Sequence, residues 1–435
     1  MRMDRRILVT GATGYIASRL VPRLLEAGYR VRCLARDPRR LEGRSWFRHV
    51  EVVRGDVTVP STLARALDGV HTAYYLIHNM SHGHGYTTLE LDSARAFALA
   101  AADAGVQHII YLGGLADPEQ HIAPHMRSRI ETGRVLREGK VPVTEFRAGV
   151  IAGSGSISFE MIRFMTELCP VVPGPAWMKN QSQPIAMQNV IDYLSAALTN
   201  LNGYGKVFEI GGPDITTYGD LMLRYARLRG IRRSMFLVPG LPLWFMAFGV
   251  GLMTPVPYPI AYALIGGLSS DSVVKHPEAL TAFPEVTLID FDSAARDALK
   301  KTHPSEIERV WDDGRQGPRS IKHEGCFIDH RQHPFPVEPE KVLSAVLQYV
   351  SRSTAFDEVQ QTEEKISVHV KDQAAGEKWI EWRVGGAGSP TYLSQTIFFC
   401  PRGLPGFLYW YLLYPLHMIK FNKSIRSIVE QGKKI

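Results

Sequence analysis

Over the first 150 residues, six short apolar runs alternate with amphipathic stretches, and that alternation narrows the fold more than any other feature of the chain. The runs are RILVT, YRVRCLAR, HVEVVRGDV, HTAYYLI, VQHIIYLGG and VPVTEFRAG. Between them lie YIASRLVPRLLEAG, which has helical spacing and stops at Gly28, and PSTLARALDG, with Pro60 near its start. TLELDSARAFALAAADAG, which stops at Gly105, and RSRIETGRVLREG complete the set. A helix between two strands carries the chain back across the sheet, so that the strands run parallel. The pattern predicts an α/β fold with a doubly wound parallel sheet and helices on both faces.

The first loop of that pattern, VTGATGYIASRL, carries chemistry. Gly11, Gly14 and Ala17 form G-x-x-G-x-x-A after a strand and before a helix. The first glycine permits a tight turn, the second lets the backbone approach a pyrophosphate, and the small Ala17 lets helix and strand pack closely. The helix N-terminus then presents N–H groups and a positive dipole end to the phosphates. In this strand–loop–helix setting the motif predicts a dinucleotide site. The end of the second strand reads CLARDPRR. Arg36 stands where a carboxylate would bind the ribose diol of NAD, and guanidinium groups suit the 2′-phosphate of NADP. The expected cofactor is therefore NADP, with NAD the alternative if Asp37 turns into the site. Asp56, after the third strand, is placed to accept from the adenine amino group.

The remaining composition excludes more than it specifies. The 435 residues are too many for one ordinary core, so two or three domains are expected. Hydrophobic content of 45% and charged content of 21% describe a folded globular chain. The formal charge is +7, but the Lys and Arg residues are dispersed, and nucleic acid is not an expected partner. Cys33, Cys169, Cys326 and Cys400 lie far apart with no C-x-x-C, which predicts reduced thiols and a cytoplasmic protein. No long apolar segment precedes the first strand, so a cleaved signal peptide is not expected.

TGATGYIA, GDVT and YYLIHNM resemble the short-chain dehydrogenase/reductase superfamily in its extended and atypical branches. IIYLGGL, RSRIETGRVLR, FRAGVIAGSGSISFEMIRF, QPIAMQNVIDYL and FEIGGPDITTYGDLM resemble a bacterial, NmrA-like NAD(P)-binding subgroup of it, over roughly the first 290 residues. The resemblance implies a Rossmann-type sheet. It sets Gly11, Thr13, Gly14, Tyr15 and Ile16 against the cofactor, together with Arg36, Asp56, Val57, Leu76, Ile77, His78, Arg129 and Ala148. It also exposes departures. The superfamily uses a Ser at the end of the fifth strand and a Tyr-x-x-x-Lys pair on the next helix. Here Gly113 or Gly114 stands where the Ser would be, and the matching helical positions hold His125 and Arg129. Arg129 would hold the nicotinamide ribose. His125 would donate a proton, since its ordinary pKa lies near neutrality, or else serve as a polar residue at the helix entry. His78, His82 and His84 in IHNMSHGHGYTT are read as part of a flap over the nicotinamide in preference to a metal site, and no metal is expected.

The strict alternation fades after residue 150. In the resembling proteins this region builds a small substrate-side subdomain, so the expected division is 1–155 dinucleotide-binding, 156–300 substrate-side and 320–435 separate. Phe159, Phe164, Met165 and Trp177 would line an apolar substrate cleft, with plain core as the alternative. Residues 235–267 form an uncharged tract broken by five prolines. It is expected to make two short helices in the domain core, with contact to a membrane surface or a membrane complex as the second reading. KWIEWRVGG and TYLSQTIFFCPRG read as strands, and LPGFLYWYLLYPLHMIKFNKSIRSIVEQGKKI as a long helix. This tail resembles a START-like helix-grip domain, an α+β fold that wraps a sheet round a long helix. Tyr409, Trp410, Tyr411 and Tyr414 would line its cavity, meet a bilayer interface beside Lys420, Lys423 and Arg426, or pack helix on sheet. The expected activity is hydride transfer between NADPH and an apolar substrate of unspecified identity. The alternatives are an NADP(H)-holding scaffold subunit and an NADP(H) redox sensor. The sequence carries no signature of oligomeric state.

Overall fold

The computed structural model describes residues 5–433 apart from 43, 78–85, 118, 121, 239, 254–257, 302–318, 324–325, 335–337, 363–364, 371–374 and 386–391. The chain divides into two compact units. One comprises residues 1–165 and 171–299, and the other 166–170 and 300–435.

The first unit is built on the strand–helix alternation. Its strands are β1 (Arg6–Val9), β2 (Arg30–Ala35), β3 (Glu51–Arg54), β4 (Thr72–Tyr75), β5 (His108–Gly114) and β6 (Val143–Ala148). The helices between them are α1 (Tyr15–Glu26), α2 (Leu63–Leu67), α3 (Tyr86–Asp103) and α4 (Pro124–Arg137). A seventh strand, Val207–Ile210, completes a sheet of order Val207–Ile210, β6, β5, β4, β1, β2, β3, with every neighbouring pair parallel. This is the doubly wound Rossmann-type sheet, and the order reverses between β1 and β4. A crevice opens there, because the following loops leave toward opposite faces.

Side-chain alternation gives each face its own core. Tyr74, Ile110 and Phe146 face α1 and the helix Met187–Ala196, while Tyr75, Ile109 and Tyr111 face α2 and α3. Phe283 closes the first core, 5.3 Å from Phe146 and 5.1 Å from Phe208. Burying such a ring contributes roughly 1.5–3 kcal/mol. Phe159 and Phe164, expected against a substrate cleft, are fully buried, and Phe159 packs on Tyr225 and Phe291. They are core. Met165 and Trp177 pack with the helices Leu243–Met253 and Tyr258–Gly267, which form from the uncharged tract. Among the described residues no helix is long and apolar enough to cross a membrane.

The second unit holds a six-stranded antiparallel sheet. Its order is Arg319–His323, Cys326–Pro334, Tyr392–Pro401, Gly376–Gly385, Lys365–Val370, Phe356–Gln361. The helices Pro339–Ser351 and Gly403–Gly432 pack on it through Val342, Val346, Phe421, Ile425 and Ile428, around Trp382 and Ile397. Trp410 is buried and stacks on Phe327 and Phe399 at 5.2 and 5.3 Å, so it packs helix on sheet. Cys400 is disulfide-bonded, which corrects the expectation of reduced thiols throughout. Cys33 is a buried thiol whose pKa burial pushes up to about 12.

Candidate functional site

The glycine loop leaves β1 with Gly11 at φ +65°, in the left-handed region. A Cβ there would lie 2.5 Å from the carbonyl oxygen of Leu76, so glycine is required by both conformation and space. Gly14 donates its N–H to the Gly11 carbonyl at 2.8 Å and begins α1 without a side-chain cap. No acidic residue occupies the first turn of that helix. Its N–H groups and positive dipole end therefore face the crevice without a competing carboxylate.

A cleft of about 290 Å³ opens here. Gly11, Thr13, Gly14, Tyr15, Ile16, Arg36, Asp56, Val57, Leu76 and Ile77 all line it. Ala17, Leu34, Ala35 and Gly55 line it too. Sequence reasoning passed over the last three, which lie at strand ends and carry no functional group. Arg36 is exposed, and among the described residues no hydrogen bond or ion pair holds its guanidinium. Asp37 is engaged elsewhere. Its carboxylate accepts from the Arg39 backbone N–H at 3.2 Å, from Nε at 2.9 Å and from Nη2 at 2.8 Å. The Arg39 guanidinium beside it holds that carboxyl below its ordinary pKa. Asp56 accepts from the Thr58 N–H at 3.0 Å, which fixes the carboxylate at the cleft wall.

His125 and Arg129 do not line this cleft. They occupy successive turns of α4, whose Ser128 donates to the buried Glu90 of α3 at 2.5 Å. Arg129 is half-buried. Its Nη2 donates to the Leu112 carbonyl of β5 at 3.1 Å, Tyr111 Oη donates to the Arg129 carbonyl at 2.9 Å, and its Nε is buried with no hydrogen-bond partner. His125 is 4% exposed and lies against Gly267, where a Cβ would come within 2.8 Å of Cε1. At Gly114 a Cβ would meet Met126 Cε at 2.7 Å and Arg129 Cδ at 3.3 Å. The space beside Gly114 is thus taken by the flexible end of the Met126 side chain and by Arg129. Met126 and Gly267 take part in this arrangement, and no local sequence signal marks them, because their contacts join distant segments. Ala148 is buried at the end of β6 and accepts from the Leu115 N–H at 2.9 Å, away from the cleft lining. His78, with His82 and His84, lies outside the described residues.

Fold and cleft together define a Rossmann-type unit with the form of a dinucleotide site. Residues 3–171 match the NmrA-like family. A (4-alkanoyl-5-oxo-2,5-dihydrofuran-3-yl)methyl phosphate reductase of Streptomyces griseus is 29% identical over 314 residues, 67% of this chain and 99% of the relative. A photosystem II assembly factor of Cyanophora paradoxa is 25% identical over 54% of this chain and 71% of the relative. Among solved structures, the triphenylmethane reductase of Citrobacter in complex with NADP(H) is similar with a TM-score of 0.54 and 20% identity, over 67% of this chain and 99% of that one. That likeness shows the shared fold.

Proposed function

We propose that the first unit binds NADP and is a reductase of the atypical short-chain type, acting on an apolar substrate. The observation that carries the cofactor choice is the pair at the end of β2: Arg36, exposed and without a partner among the described residues, beside an Asp37 bonded to Arg39. Arg36 would pair with the 2′-phosphate, Gly11 and Gly14 would admit the pyrophosphate to the backbone, and Asp56 would accept from the adenine. Arg129 would orient the nicotinamide ribose with its guanidinium, which stands outside the cleft lining in this structure. The bound NADPH supplies the hydride. The proton would come from water or from His125, and the burial of His125 against Gly267 favours water. The name of one similar protein, the triphenylmethane reductase complexed with NADP(H), is in keeping with an apolar substrate, while the phosphate ester reductase shares only the reductase chemistry in its name.

Titrating NADPH and NADH against the wild type and Arg36→Asp tests the cofactor choice. The variant should lose roughly tenfold or more in NADPH affinity, as expected for a charge-assisted pair, and little in NADH affinity. Equal losses for the two cofactors would remove the NADP assignment.

A second reading is that NADP(H) is held without turnover, in a scaffold or sensor. It is favoured by the end of β5, where Gly113 or Gly114 stands in place of the superfamily's Ser and offers no hydroxyl to the substrate oxygen. Similarity to an assembly factor is in keeping with it. Sustained NADPH oxidation with a panel of quinones and enones would exclude this second reading.

A further inference from the structure

The helix pair Leu243–Met253 and Tyr258–Gly267 has one apolar face inward and another outward. Inward, Ala247, Val250, Ala261 and Ile265 are buried with Met161. Outward, Trp244, Phe245 and Phe248 are 59%, 53% and 57% exposed, and Tyr258 and Tyr262 are 44% exposed each. The i, i+1, i+4 and i, i+4 spacings gather these rings on one side of each helix. Trp244 and Phe245 stand 5.8 Å apart, and Tyr258 and Tyr262 stand 6.1 Å apart. Phe236, on the strand leading into the pair, is 62% exposed. Scattered exposed apolar residues are ordinary on a protein surface, but a group of large rings with no charge among them marks an interaction face.

Charge identifies the occupant. No charged residue occurs between Arg233 and Asp271, and no acidic residue between Asp220 and Asp271. Arg227 and Arg232, on the approach to the pair, are exposed with no ion-pair partner among the described residues. The helices have 11 and 10 residues, about half the length needed to cross a hydrocarbon core. Short neutral helices that present Trp, Tyr and Phe, preceded in sequence by exposed arginines, have the chemistry of a segment lying in the interfacial plane of an anionic bilayer.

We propose that this aromatic helix pair docks the protein on the surface of an anionic lipid bilayer, without spanning it. The proposal is independent of any hydride transfer. Its test is co-sedimentation of the full chain with vesicles of phosphatidylcholine containing a minority of phosphatidylglycerol. NADPH titration and circular dichroism on the same samples separate loss of docking from loss of fold or of the cofactor site. The wild type should pellet with these vesicles, and W244S/F245S/F248S should lose more than about tenfold in partitioning while keeping its NADPH affinity. Reversing Arg227 or Arg232 to Glu should weaken binding by roughly fivefold or more each, and only to vesicles that contain the anionic lipid. If the triple variant misfolds, Phe248→Lys alone should still lower partitioning. A wild type that stays in the supernatant overturns the proposal. A folded aromatic variant that pellets like the wild type does so too, and so does a variant that changes only the oligomeric state in sedimentation velocity.

Discussion

Two strand ends in the same sheet carry glycines, and they use the missing side chain in opposite ways. At the end of β1, Gly11 adopts φ +65° and crosses under the Leu76 carbonyl, leaving a cleft open above the loop. At the end of β5, Gly114 makes room for the protein's own atoms, since Met126 and Arg129 occupy the space a Cβ would enter. A glycine at a parallel-strand terminus is therefore not by itself a ligand signal. What distinguishes the two is whether the space it leaves is open or packed.

The largest expected effect breaks the open end. Gly11→Val combines a left-handed φ, which a β-branched residue adopts only with strain, with a backbone clash at Leu76. It should abolish NADPH binding and lower the unfolding free energy by about 2 kcal/mol or more, read by cofactor titration and urea denaturation. Gly14→Val, whose Cβ would approach only the Gly11 carbonyl at 3.0 Å, should lose the cofactor with much less cost to the fold. If both variants bound NADPH normally, the open end would be a turn and nothing more.

A pH experiment probes how firmly the packed strand is anchored at its other end. His108 begins β5, is fully buried, bonds to Thr144 at 2.8 Å and stacks on Tyr204 at 3.7 Å. Burial lowers its pKa to about 3 from an ordinary value of 6.5. The unfolded chain therefore binds a proton that the folded chain refuses between those two values. Stability should be full above pH 6.5 and fall as the pH drops toward 3, by on the order of 2–4 kcal/mol. Denaturation midpoints across that window should follow this slope, and His108→Gln should flatten it.

Smaller changes test the filled end. Gly114→Ser should cost about 1 kcal/mol, the low end for overpacking, because the nearest atom is the flexible end of Met126, and Gly114→Ser with Met126→Ala should recover part of that loss. A neutral single substitution would mean that α4 yields easily and that a Ser there was never excluded. The smallest effect on the cofactor is expected at His125. Because its ring lies against Gly267 outside the cleft lining, His125→Ala should leave NADPH affinity within about twofold of wild type, as is usual for distant sites. A large loss of affinity would bring His125 back to the cofactor.

The sequence by itself determined the first sheet and its loop. Alternating runs such as RVRCLA and VTEFRA became β2 and β6 because apolar periodicity and flanking turn residues act over a few neighbours. The strand–Gly11–Gly14–helix arrangement is local in the same way. Other features depended on contacts between distant segments. The resemblance offered His125 as a proton donor or as a polar residue at the helix entry, and its burial against Gly267 depends on a segment more than a hundred residues away. In the second unit the strands Phe356–Gln361 and Lys365–Val370 were not legible. Their sequences, FDEVQQ and KISVHV, form strands by pairing with each other and with Gly376–Gly385. Pairing of that kind depends on which backbone lies alongside, and burial on what packs above, so both were decided only when the chain had folded.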